Sequence, residues 1–97
     1  MSEFFDYSAG RLVFTVDLVL SNVADLYQAL TRQDLTSVDQ VDLSAVKKLD
    51  SAGIALLLEL KQMAACLTLI QPPAHLSTLL ALYNLEAQFH LVEESRH

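Results

Sequence analysis

Apolar and polar positions alternate between two periods along this chain. Arg11 to Leu20 is rich in Val, Leu, Phe and Thr with little alternation, which predicts a strand buried on both faces. Phe4 to Tyr7 predicts a shorter strand before it, and Ser8-Ala9-Gly10 supplies the turn of an opening hairpin. Ser21 or Asn22 can cap a helix in which Val23, Leu26, Tyr27 and Leu30 recur at helical spacing, ending near Arg32. Gln40 to Leu43 reads as a second buried strand, followed by a helix from Ser51 to about Ala65. Leu67 to Ile70 is a further strand that Pro72-Pro73 stops. Leu76, Leu79, Leu80 and Tyr83 mark a third helix with Asn84 near its C-cap, and Phe89 to Val92 a last short strand. Strands alternating with helices, with no linker or internal repeat, predict one α/β domain over residues 1–97, its mixed sheet covered by helices.

The second of these helices carries more apolar residues than one core face needs. At about 100° per residue, Gly53, Leu56, Leu57, Leu60, Met63 and Ala64 share the side expected to face the sheet. Ile54, Leu58 and Ala65 lie on a separate flank beside Lys61, and Ala55, Glu59 and Gln62 fill the remainder. Ser51 falls next to Leu58, between Ile54 and Ala55, so a hydroxyl and a surplus apolar flank form one patch. Two readings of Ser51 stand side by side. Either Ser51 or Asp50 caps the free N–H groups of the helix start, with Gly53 in the same first turn, or Ser51 is exposed at a docking surface and open to phosphorylation.

Composition points the same way. The chain is 53% hydrophobic and 19% charged, against roughly a quarter charged in an average soluble domain, so part of the apolar content is expected at the surface. A net charge of -6 argues against binding a phosphate backbone, and nucleic acid is excluded as a partner. The single cysteine, Cys66, reads as a small buried hydrophobe in a reducing compartment. No apolar segment follows Met1-Ser2-Glu3, so a cytoplasmic location is expected. Gln62 to Leu85 is free of charged residues, but Pro72-Pro73, His75, Ser77 and Thr78 interrupt it too often for a membrane span.

Catalytic chemistry finds no foothold. His75, His90 and His97 are too scattered for a metal motif, and Gly10 and Gly53 alone cannot build a phosphate-binding loop. Asp39, Asp42 and Asp50 cluster around one strand, where a solvated strand end explains them better than acid/base work. Lys47-Lys48 reads as a polar turn. The expectation is a protein without enzymatic activity, cofactor or metal.

The strand Val41-Asp42-Leu43-Ser44, the turn Leu49-Asp50-Ser51-Ala52-Gly53 and the helix Ile54 to Leu60 resemble the signature of STAS domains, found in sulfate transporters and anti-sigma-factor antagonists. The resemblance runs through nearly the whole chain in order of elements. It implies an α/β fold with a mostly parallel mixed sheet and about three or four helices, and a non-catalytic docking role. The chain's length, the run Gly53 to Leu58 and the late segment Leu82-Tyr83-Asn84-Leu85 are similar to the small subunits of phospholipid-transport ABC complexes that maintain outer-membrane lipid asymmetry. That implies binding to an ABC ATPase, and through it a permease, at the cytoplasmic side of the inner membrane and without membrane insertion. The implied contact residues are Ser51, Ile54, Ala55, Leu58 and Gln62, with Leu58 as apolar anchor; without the partner, the exposed flank would favour a homodimer. The alternative implied by the family is an anti-sigma-factor antagonist switched by phosphorylation of Ser51. Many members carry Gly-Glu-Leu-Asp where this chain has Val16-Asp17-Leu18-Val19, a departure that bears on the switch reading and not on the transport one.

Overall fold

Two residues with positive φ, Ala9 at 51° and Gly10 at 80°, fold the chain back on itself in the tight two-residue turn that suits the twist of a hairpin. They join β1 (Phe5–Ser8) to β2 (Arg11–Phe14), paired antiparallel with Phe5 opposite Phe14. The computed structural model describes residues 4–64 and 67–93. After the hairpin come α1 (Leu20–Thr31), β3 (Gln40–Asp42), α2 (Ser51–Met63), β4 (Thr68–Ile70), α3 (Ala74–Leu82), a 3-10 turn at Glu86–Gln88 and β5 (His90–Val92). The strands lie in the order β1-β2-β3-β4-β5, and every pair after the hairpin is parallel. The fold is thus the mixed, mostly parallel α/β domain expected from the sequence.

Register assigns the two sheet faces. Leu12, Val41, Leu69 and Leu91 align across β2 to β5, and their face buries Phe5 and Phe14 with rings meeting edge to face at 6.5 Å. The residues between them, Arg11, Val13, Gln40, Asp42, Thr68 and Ile70, point the other way. Three crossovers step in one direction along the sheet, and right-handed connections of that kind place all three helices on one face. Leu26 and Leu30 of α1, Leu56, Leu57 and Leu60 of α2, and Leu76 and Leu80 of α3 accordingly share one core with Leu12, Phe14, Val41 and Leu69.

Three expectations are corrected here. The strand expected over Arg11 to Leu20 ends at Phe14 and alternates between half-buried and buried residues, so it is covered on one face only. Helix α1 begins at Leu20 rather than after a serine or asparagine cap; Val19 is the N-cap and contributes no side-chain bond, while Asn22 Nδ2 donates to the Asp17 carbonyl at 2.9 Å. Asp42 is not a solvated strand end. It is 8% exposed and ion-paired with Arg11. Burial pushes its carboxyl upward, but hydrogen bonds from Arg11 and from the Ser44 side chain and backbone outweigh that and hold it below the ordinary value. The extension of α2 to Ala65 and the burial of Cys66 lie outside the described residues.

Where β2 and β3 end, their following loops are stitched together. Leu18 and Leu49 form an isolated parallel bridge, with Leu18 N–H bonded to the Lys48 carbonyl and Asp50 N–H to the Leu18 carbonyl. Helix α2 starts directly on this bridge. A Cβ at Gly53 would lie 2.2 Å from the Leu18 carbonyl oxygen and 2.9 Å from Leu18 Cβ, so only a residue without a side chain lets the helix approach. Gly53→Ala is therefore expected to lower unfolding stability by about 1–3 kcal/mol, as overpacking does, although alanine gains about 1 kcal/mol over glycine in helix propensity. Urea unfolding measures it; equal or higher stability would mean that α2 shifts freely away from the bridge.

Candidate docking site at the start of the second helix

Asp50 is the N-cap of α2, with extended backbone and a side chain that accepts from Ala52 N–H at 3.0 Å and Gly53 N–H at 3.2 Å through Oδ1. Its other oxygen accepts from Leu20 N–H at 3.1 Å. One carboxylate thus ties together the starts of α1 and α2, which places a negative charge where both helix dipoles favour one. Gly53 supplies one of the capped N–H groups, and its missing side chain serves the close approach to Leu18.

Because Asp50 does the capping, Ser51 does not. It is the first helical residue, exposed, and its Oγ has no hydrogen-bond partner among the described residues. One turn further, Ala55 is exposed, then Glu59 and Gln62, so these four form the outer strip of α2. Leu58 beside them is half-buried and packs against the core cluster. Ile54 departs from expectation. It is 3% exposed and turned into the core, so it offers no surface to a partner. The wheel of an isolated helix cannot show why: the chain that follows β4, through α3 to the 3-10 turn, reaches back to that flank and to the loop before α2. Lys61, which lies about 20° from Ile54 on the wheel, donates to Gln88 Oε1 at 2.9 Å, and the His75 ring nitrogen Nε2 meets the Leu49 carbonyl at 3.1 Å.

Sequence reasoning missed two residues beside this strip. Leu20 is 75% exposed at the start of α1, where the run of apolar letters made it look like a strand end. Leu82 is 73% exposed on α3. The absence of charge from Gln62 to Leu85 was the signal for the second, since a solvated helix ordinarily carries a charged outer face.

Lys47-Lys48 form the polar turn expected, and their backbone N–H groups donate to Asp17 Oδ1 at 2.9 and 3.1 Å. These two bonds, Lys47 first, outweigh the upward push of burial and hold the Asp17 carboxyl below its ordinary value of 3.8, with the lysine charges adding less. Among the described residues no group of three or more His, Cys, Asp or Glu is placed to hold a metal ion, and no helix is long and apolar enough to cross a membrane. The arrangement sets the exposed Ser51 hydroxyl on the outer strip of α2.

A family model described as "Mlab, STAS domain" matches residues 5–93. Among solved structures, a candidate anti-sigma factor antagonist from Thermotoga maritima superposes with a TM-score of 0.75 at 14% identity, covering 93% of this chain and 85% of that one. At that identity the likeness is one of fold. No curated protein matches.

The Asp17 geometry has a pH signature. A carboxyl whose folded pKa lies below its unfolded 3.8 stabilises the fold above that pH and loses the contribution as pH falls through the folded value. Asp17→Asn should therefore lower the thermal midpoint at pH 7 and reduce the loss of midpoint between pH 5 and pH 2.5. An unaltered acid limb in that variant would show that Asp17 does not anchor the Lys47-Lys48 turn.

Proposed function

The chain belongs to the STAS domain family, and on that premise we propose that it is the ATPase-binding subunit of a Mla-type ABC phospholipid transporter. It acts by docking and performs no chemistry of its own. In this reading it sits in the cytoplasm, held at the inner membrane through the ATPase and its permease, and supports assembly and activity of the complex. The observation that carries it is the division of labour at the start of α2: Asp50 caps the helix, which leaves the Ser51 hydroxyl exposed with Ala55 and Gln62 beside half-buried Leu58. An exposed hydroxyl next to apolar surface suits a protein interface, where polar contacts orient and apolar anchors bind. The name of the matching family model supports the transport assignment.

A second reading, a phosphorylation-switched anti-sigma-factor antagonist, is favoured by the same exposed hydroxyl and by the Thermotoga fold match. A phosphate on Ser51 would lie at the positive end of α2. It would also crowd the Asp50 carboxylate, which already takes the free N–H groups of that end.

Ala55→Arg separates docking from folding, because the residue is exposed and arginine differs little from alanine in helix propensity. Binding to the purified ABC ATPase is expected to weaken at least tenfold with the thermal midpoint within about 2 °C of wild type, since an exposed substitution moves stability by no more than about 0.5 kcal/mol. Unchanged affinity would remove α2 from the interface. On the transport reading, intact-mass measurement of the chain from its own cells finds Ser51 unmodified and Ser51→Glu disturbs ATPase binding; a phosphorylated population together with loss of binding to a serine kinase would favour the switch.

A further inference from the structure

The outer strip of α2 is too small to hold a partner by itself. Thirteen residues span about 20 Å at 1.5 Å per residue, and a strip about 10 Å wide, one helix diameter, then offers about 200 Å². A stable interface needs about 800 Å² from each side. The missing area lies on both flanks. On α1, Leu20 is 75% and Tyr27 40% exposed, and these two lie within about 20° of each other on the helix wheel. The hydrogen bond from Leu20 N–H to Asp50 sets the start of α1 beside the start of α2. On α3, His75, Leu79 and Leu82 share an arc of about 60°, and the His75 contact with the Leu49 carbonyl turns that arc toward α2. Leu79 is half-buried against the core and Leu82 73% exposed.

We propose, building on the transport reading above, that the ATPase contact straddles α2, with Leu20 and Tyr27 of α1 and Leu82 of α3 as its outer anchors. Charge selects this occupant. The surface formed by these anchors with Ser51, Ala55 and Gln62 carries Glu59 and, on the flank beside Leu58, a half-buried Lys61 already bonded to Gln88, on a chain of net charge -6. A second copy would set the overall negative charge against its like. An anionic lipid surface would be repelled, and one lysine held by Gln88 does not make the basic face of a membrane-surface helix. The complementary partner is a protein surface with an apolar stripe and a basic group opposite Glu59.

Four variants in the full chain, titrated against the purified ABC ATPase, test this. Leu20→Gln should weaken binding at least fivefold, Leu82→Lys at least tenfold, and Glu59→Lys at least fivefold with a weaker salt dependence, while Ala55→Arg reports on the α2 strip. All three new sites are exposed, so their thermal midpoints should stay near wild type. If Ala55→Arg abolishes binding while Leu20→Gln and Leu82→Lys stay within twofold of wild type, the straddling contact is overturned and the transport reading stands. A wild-type chain that does not bind the ATPase overturns both. The contact is also overturned if the free chain forms a dimer that Leu82→Lys dissociates and that the ATPase does not displace, or if it floats with phosphatidylglycerol vesicles.

Discussion

The rest of the structure depends on how closely α2 can approach the bridge between Leu18 and Leu49. Gly53 has no side chain, so the first turn of α2 comes down onto the Leu18 carbonyl. That approach puts Asp50 within reach of three N–H groups on two helices. Asp17 reinforces the same junction from the other loop by accepting from Lys47 and Lys48. Loops from two parallel strands thereby become a rigid platform at the carboxyl end of the sheet, the edge where α/β folds commonly place their sites.

That platform leaves Ser51 out of the capping of α2. In many helices a serine near the N-terminus is consumed by capping; here the preceding aspartate takes that role and the hydroxyl faces outward. The surplus of apolar residues over charged ones divides into two parts. Most of it fills a core on one side of the sheet, and the remainder, led by Leu20 and Leu82, stays on the helical layer around Ser51. The polar sheet face, with Arg11 paired to Asp42, needs no cover of that kind. Among the described residues, the most exposed large apolar side chains, Leu20 and Leu82, both lie on the helical layer.

Much of this was legible in the sequence because local signals agreed. The hairpin could be read from Ser8-Ala9-Gly10, the α2 start from Asp50-Ser51 after a strand, and the stop of β4 from Pro72-Pro73. What failed depended on partners distant in sequence. Thr15 to Leu18 looks like strand, yet Leu18 is buried from a loop, through a bridge to a residue thirty-one positions later. Ile54 looked like surface because a wheel knows nothing of the later chain that bonds to Lys61 on the same flank. Asp42 looked solvated because its partner, Arg11, comes from the neighbouring strand in a register that no spacing reveals.

The central claim is that the outer strip of α2 touches an ABC ATPase in the cell. The direct measurement is to place a photo-crosslinking side chain at position 55 of the chain in its native cells, irradiate, and identify the adduct by mass spectrometry. The account predicts a crosslink to an ABC ATPase that co-purifies with a membrane permease. A crosslink to a serine kinase or a sigma-factor regulator, with no ATPase adduct, would contradict it.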